Sequence, residues 1–186
     1  MKKTLAQILE ENDWNGPHGT DKNTDHDYIN AFYDIEFKKY RDKKINILEI
    51  GSCRGTSIHL WQTYFPKAEI IGIDVWDQLL EKHLGLERVT YLEGDAYDVE
   101  NAKTLPDFDI IIDDGSHHPY HQISCIEIYL PKLKEGGVLI IEDVAQFETF
   151  EELKKAVPEE YKLNVECLDL RENKGRSDDM MFIIRK

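Results

Sequence analysis

The sequence predicts an open α/β domain, a mostly parallel sheet with helices on both faces and an antiparallel hairpin at its C-terminal end. Three observations carry that prediction. Short apolar runs rich in Ile, Val and Leu recur from Ile45 onward, separated by stretches of helical period. Near-continuous runs of this kind mark strands buried on both faces, and their alternation with helices marks parallel crossovers. Gly51 and Gly55 flank the turn between the first run and the first helix, where an open sheet brings its backbone close to a ligand. The last two runs face each other across a polar turn, RENKGRSDD, as hairpin strands do. The 186 residues amount to about one domain, long enough to bury a core without staples.

Residues 1–44 read as an N-terminal extension. Met1–Glu10 (MKKTLAQILE) has a short apolar stretch broken by Gln7 and no small-residue cleavage site, so it is not read as a signal peptide. Asn12–Thr24 (NDWNGPHGTDKNT) is polar and turn-rich. From Asp25, the residues Tyr28, Ile29, Phe32, Tyr33, Ile35 and Phe37 recur near helical spacing, which predicts an aromatic-faced helix that packs on the main domain or covers a site. The main domain, 45–186, then alternates. Strand Ile45–Ile50 leads to helix Thr56–Phe65, and strand Glu69–Ile73 to a weak helix near Gln78–Leu84. Strand Val89–Leu92 precedes a helical segment near Tyr97–Thr104, and strand Phe108–Asp113 precedes helix Tyr120–Leu133, which Pro119 opens. Strand Val138–Glu142, helix Phe147–Ala156 and the hairpin runs Lys162–Asp169 and Met180–Arg185 complete the order.

Composition narrows the partners. Lys plus Arg is 23 and Asp plus Glu is 37, a formal net charge of −14. A strongly acidic surface repels phosphate backbones and anionic lipid, so neither nucleic acid nor membrane is expected as a partner. No run approaches the ~20 apolar residues that span a bilayer. Cys53, Cys125 and Cys167 are odd in number and widely spaced, which argues against a disulfide framework or zinc cluster and fits reduced thiols in a cytoplasmic setting.

Three acids stand at the ends of the first three strands: Glu49, Asp74 and Asp95. Asp74 lies roughly 20 residues past Gly51, the distance at which an acid reaches ribose hydroxyls. Glu49 repels phosphate and suits a cationic amino group. The glycine spacing is G-x-x-x-G, not the G-x-G-x-x-G of a pyrophosphate site, which disfavours a nucleotide-dependent oxidoreductase. A ligand with an amine, a ribose and a base but no phosphate fits; S-adenosylmethionine is such a ligand.

The fourth strand ends in Asp113 and Asp114 and the fifth in Glu142 and Asp143. Carboxylates crowded together repel unless protons or a metal offset them, and an all-oxygen set suits a hard divalent ion such as Mg²⁺ or Ca²⁺. His117, three residues past Asp114, is placed to take a proton from a hydroxyl whose pKa a metal has lowered. His118 and His121 read as helix-start and surface residues.

The ordered set ILEIGSCRGTS, GID at 72–74, EGDA at 93–96, FDIIIDDGSHH at 108–118 and LKEGGVLIIEDV at 133–144 resembles the class I S-adenosylmethionine-dependent methyltransferases. The resemblance implies a Rossmann-like seven-stranded sheet with the last strand inserted antiparallel. It implies that Glu49, Gly51 and Gly55, with Ser57 in the same cofactor set, line the methionine part, that Asp74 takes the ribose, and that Asp95 and Ala96 frame the adenine. Cys53 stands where many class I enzymes carry a further glycine. DDGSHH followed by EGG and IEDV, with HGTDKNTDHDY upstream, resembles more closely the metal-dependent macrolide-sugar O-methyltransferases and their cephalosporin hydroxylase-like relatives. That resemblance implies Asp114, Glu142 and Asp143 as ligands of Mg²⁺ or a similar ion, His117 as general base, and Asp113 behind them. Arg171, Lys174 and Arg176 fall in a turn that resembles the one before the group's last strand. The expected activity is O-methylation of a small-molecule or glycan hydroxyl, a sugar first. The alternatives are a catechol-type O-methyltransferase, whose last metal ligand is usually Asn rather than Asp143, and a non-catalytic S-adenosylmethionine-binding protein. The chain is short for that group, which predicts an open pocket or one completed by a second subunit.

Overall fold

The computed structural model of the protein describes residues 2–16, 19–76 and 78–186. His18, at the head of the HGTDK segment, therefore lies outside the described residues. The strands are β1 (Asn46–Ile50), β2 (Glu69–Asp74), β3 (Val89–Glu93), β4 (Phe108–Asp113), β5 (Leu133–Ile141), β6 (Val165–Asp169) and β7 (Met180–Arg185). They form one seven-stranded sheet in the order β3-β2-β1-β4-β5-β7-β6. β1 to β5 pair in parallel. β7 runs antiparallel between β5 and β6, so the hairpin joins the sheet through its second strand. Strand order reverses at β1, which lies between β2 and β4. Ligands of open α/β sheets bind at such a switch point, outside the carboxyl ends of the strands.

Alternation along the strands divides the core in two. Ile47, Ile110, Ile112, Val138, Ile140, Met181 and Ile183 belong to one buried cluster, with α3 (Thr56–Tyr64) and the N-terminal residues. Leu48, Ile50, Ile111, Leu139, Ile141, Phe182 and Ile184 belong to the other, with α5 (Pro119–Tyr129) and α6 (Phe147–Ala156). The same period of two puts Glu49, Asp114 and Glu142 on the first face and Asp113 on the second. That division decides what each acid meets.

The N-terminal residues pack into the first cluster. α1 (Leu5–Glu11) buries Leu5, Ile8 and Leu9, and its first turn is tied to Asp34, which accepts the Leu5 N–H at 2.7 Å. The helical run begins at Ile29, later than expected, and changes character along its length: a π-turn over Ile29–Tyr33, α2 (Asp34–Glu36), then a 3₁₀ turn over Phe37–Lys39. Tyr28, Ile29, Phe32, Tyr33 and Phe37 are buried in the same cluster as Ile58 and Trp61, whereas Ile35 points to solvent, 65% exposed.

Elsewhere the bounds shift for local reasons. The weak helix near Gln78–Leu84 is a 3₁₀ turn at Glu81–His83, and α4 is the short Val99–Lys103, capped by the Asp98 side chain on the Glu100 N–H. α5 stops at Tyr129, two residues before Pro131, and β5 begins at Leu133 rather than at Val138. β6 begins at Val165 after a 3₁₀ turn at Glu159–Asn164, and α7 (Arg171–Lys174) fills the hairpin turn.

Candidate functional site

A cavity of about 1000 Å³ opens at the carboxyl ends of the parallel strands. Gly51, Ser52, Thr56, Ser57, Asp74 and Asp95 line it, as do Asp114, His117, Asp143, Asp21 and Asp25. The turn after β1 needs its glycines. Gly51 has φ +86°, and a Cβ there would stand 1.9 Å from the Asp114 carbonyl oxygen, so β1 and β4 close together only around a residue without a side chain. Gly55 has φ +85°, with the Tyr91 hydroxyl, His83 and Leu79 crowding the same space. Cys53, between them, is also left-handed at φ 42°.

Asp74 braces this turn. Its Oδ2 accepts the Cys53 N–H at 2.7 Å and its Oδ1 the Trp76 N–H at 3.2 Å. Asp95 accepts the Tyr97 N–H at 2.9 Å, and the Ala96 carbonyl accepts from the Tyr129 hydroxyl at 2.6 Å. Ser57 is buried at the start of α3. Glu49 is fully buried and is not among the cavity-lining residues. It accepts from the Trp61 indole N–H at 2.9 Å. Burial pushes its carboxyl up to about 7 against the pull of Lys22.

The four acids at the ends of β4 and β5 separate by face. Asp113 points into the second cluster, where it accepts from the Tyr97 hydroxyl at 2.7 Å; burial lifts its carboxyl to about 6. Asp114 and Glu142 point the other way, onto the side chain of Lys22. The Lys22 ammonium is 2.6 Å from Asp114 Oδ2, 2.5 Å from Glu142 Oε2 and 3.6 Å from Glu49 Oε1, and its side chain is 1% exposed. Burial opposes its charge, but the Asp114, Glu142 and Glu49 carboxylates outweigh that and hold its pKa well above the usual lysine value. Burial raises both Asp114 and Glu142, with Lys22 opposing. Glu142 Oε1 accepts from the Tyr33 hydroxyl, so both of its oxygens are engaged by the N-terminal segment.

Asp143 follows β5 in a left-handed conformation, φ 53°, which turns its carboxylate toward the cavity. Tyr28 clamps it twice: the hydroxyl donates to Oδ1 at 2.6 Å and accepts the Asp143 N–H at 3.2 Å. His26 stacks on Tyr28 and places Nδ1 3.5 Å from both Asp143 Oδ1 and the buried Asp179 Oδ1. His117, also left-handed at φ 57°, brings Nε2 to 3.6 Å from Asp143 Oδ2. Asp114, His117 and Asp143 each present a ligand atom, all within 4.8 Å of one another, and they are the one such group of His, Cys, Asp or Glu among the described residues.

His121 stacks its ring on Tyr97 at 4.3 Å, and both also line the cavity. Arg171 pairs with Asp169 at 2.6 Å, and Arg176 with Asp178 at 2.9 Å. Arg171, Lys174 and Arg176 are not cavity-lining residues. Lys22, His26, Tyr28 and Tyr33 are the site residues that sequence reasoning did not single out for the acidic end. The one signal for Lys22 was its place in the G-T-D-K segment. The aromatic stripe, expected to pack on the main domain or to cover a site, packs in the first cluster, and two of its members also carry the hydroxyls that meet Glu142 and Asp143.

A family described as a methyltransferase domain matches residues 41–183. The chain is 33% identical over 128 residues to mycinamicin VI 2''-O-methyltransferase of Micromonospora griseorubida, covering 63% of this chain and 31% of that one. It is 31% identical over 138 residues to 8-demethyl-8-alpha-L-rhamnosyl tetracenomycin-C 2'-O-methyltransferase of Streptomyces olivaceus, covering 68% of this chain and 35% of that one. The chain thus spans about a third of the length of these curated relatives. In fold it is similar to the MycE methyltransferase from the mycinamycin biosynthetic pathway, solved in complex with Mg and SAH. The TM-score is 0.73 at 22% identity, over 100% of this chain and 55% of that one. No helix among the described residues is long and apolar enough to cross a membrane.

Proposed function

The chain belongs to the methyltransferase-domain family, and on that premise we propose that it transfers a methyl group from S-adenosylmethionine to a hydroxyl of a sugar-bearing small molecule, with a divalent cation at the acceptor end. One observation carries the reading: a single cavity is lined both by Gly51, Asp74 and Asp95 and by Asp114, His117 and Asp143. The relatives named for methylating sugar hydroxyls support the acceptor class, as does an acidic chain of net charge −14 that disfavours anionic acceptors.

S-adenosylmethionine, when bound, would supply an electrophilic methyl group, and a divalent cation would lower the pKa of a hydroxyl that it touched. The rest falls to the chain. The open turn from Gly51 to Gly55 leaves room for the methionine portion, beside Ser57. Asp74 stands at the end of β2 to accept ribose hydroxyls, and Asp95 with Ala96 borders the adenine. Asp114 and Asp143 offer two cavity-lining carboxylates that could hold a cation, with Glu142 beside them on Lys22, an oxygen donor set that fits Mg²⁺ or Mn²⁺. The His117 ring is 40% exposed at the cavity, where it would accept the proton of the acceptor hydroxyl.

The test is titration with S-adenosylhomocysteine by calorimetry, followed by incubation with labelled methyl donor, Mg²⁺ and a panel of glycosides. Saturable binding and a product heavier by one methyl group on oxygen are expected. Absence of nucleoside binding would overturn the reading; binding with transfer to nitrogen or carbon acceptors alone would overturn its acceptor half.

A further inference from the structure

His117 is carried by the short loop between β4 and α5, residues 114–118. The helix does not cap that loop through a side chain, since its cap residue, His118, makes no capping bond. What holds the loop comes from another part of the sheet. Tyr97 follows β3, where Asp95 Oδ1 accepts its N–H at 2.9 Å. Its hydroxyl donates to Asp113 Oδ1 at 2.7 Å and accepts the Ser116 N–H at 3.5 Å. The same Asp113 oxygen accepts the Gly115 N–H at 3.3 Å. A Cβ on Gly115 would stand 2.4 Å from the Tyr97 hydroxyl oxygen, so the loop lies this close to Tyr97 because residue 115 has no side chain. The Tyr97 ring stacks on His121 with the planes 2° apart, and His121 Nδ1 meets the Ser116 hydroxyl. Tyr97, Gly115, Ser116, His117 and His121 all line the cavity. Burial and the Asp113 carboxylate raise the Tyr97 pKa, so the hydroxyl remains a donor at neutral pH.

We propose that Tyr97 is a positioning residue for the reaction: its hydroxyl, with Asp113, pins Gly115 and Ser116 to the end of β4 and thereby sets where the His117 ring stands. The inference rests on the reading of His117 as the group that takes the acceptor's proton. His117 follows directly on the two pinned N–H groups and is left-handed at φ 57°, so the direction of its ring is inherited from the backbone before it. A misplacement of about 1 Å can cost a reaction roughly 10²-fold in rate, and a short loop has room for that drift once these bonds are gone. The donor end is spared, because the Tyr97 hydroxyl meets the loop and Asp113 rather than the glycine turn or Asp74.

The first test is amide hydrogen exchange on the whole chain with no donor, acceptor or metal present. In Tyr97→Phe, residues 114–118 are expected to exchange at least fivefold faster while β4 keeps its rate. Turnover of a glycoside acceptor supplies the second readout. Tyr97→Phe is expected to lower kcat at least tenfold, with acceptor KM and S-adenosylhomocysteine affinity within twofold of the unaltered chain. Added to His117→Ala, it is expected to slow single-turnover transfer less than twofold, because a ring that is absent cannot be misplaced. Gly115→Ala, which presses a methyl into the same contact from the loop side, is expected to repeat this pattern and serves if Tyr97→Phe fails to fold. Unchanged exchange in the loop would overturn the proposal. So would equal penalties with and without the His117 ring, or a loss of S-adenosylhomocysteine affinity that matches the loss of kcat. Absence of transfer by the unaltered chain would overturn the reading of His117 instead, and the exchange comparison would still decide whether Tyr97 holds the loop.

Discussion

Two side chains in this site carry consequences that can be measured one at a time. His117 is held in a left-handed conformation that puts its ring, 40% exposed, beside the Asp143 carboxylate with Nε2 3.6 Å from Oδ2. His117→Ala is expected to slow methyl transfer by about 10²–10⁴ without changing S-adenosylhomocysteine affinity, as single-turnover rates and calorimetry would show. Equal losses of both would mean that the residue holds the donor end instead. Glu49 makes a prediction about stability. Its carboxyl is raised to about 7 in the fold against an ordinary 4.5, so folding favours the protonated form. That stabilisation is complete below about pH 4.5 and is lost as the pH rises through about 7. The melting temperature of the unaltered chain should therefore fall across this interval relative to Glu49→Gln, whose amide does not titrate. Parallel pH profiles for the two would exclude Glu49 as the titrating group.

At the scale of elements, the turn after β1 depends on the absence of a side chain at Gly51. Gly51→Ala must adopt φ +86° and place a methyl 1.9 Å from a backbone oxygen, so a loss of at least ~2 kcal/mol in unfolding free energy is expected, with donor binding lost as well; denaturant melts would measure it. The elements that were readable in advance share a physical cause. A strand buried on both faces must be apolar along its length, and β4 and the end of β5, IIID and VLII, announce themselves without reference to the rest of the chain. The acids that end those strands were readable too, because a carboxylate directly after such a run stands at the ligand edge. Their division between two faces follows from the pleat once the strand register is known. What covers them does not. A lysine is ordinarily a solvated residue, and nothing within a few positions of Lys22 signals that it is dried by three carboxylates from distant strands. The helical run shows a related limit: its aromatic residues predicted a buried stripe correctly, but the spacing cannot separate an α-helix from the π, α and 3₁₀ turns found over Ile29–Lys39.

For the molecule as a whole, the matched family region begins at residue 41, yet the acids within that region are neutralised and clamped by Lys22, His26, Tyr28 and Tyr33. The described residues of 2–16 and 19–40 thus contribute to the core by packing. Leu5, Leu9, Tyr28, Tyr33 and Phe37 are each fully buried, and each such side chain is worth about 1.5–3 kcal/mol in a fold whose total stability is of order 5–15 kcal/mol. A chain reduced to residues 41–186 is expected to lose cooperative unfolding and to aggregate; circular dichroism melts and light scattering would decide, and a sharp transition within a few degrees of the full chain would refute it. The long reach of Lys22, 92 residues to Asp114 and 120 to Glu142, also sets an order of events in time. A ribosome releases the lysine first and its partners much later, so it waits through the synthesis of most of the sheet. Contacts of such separation form slowly, and until they form the acids of β1, β4 and β5 stay wet and repel one another. The Lys22 cluster can therefore close only once the chain has been synthesised past Glu142.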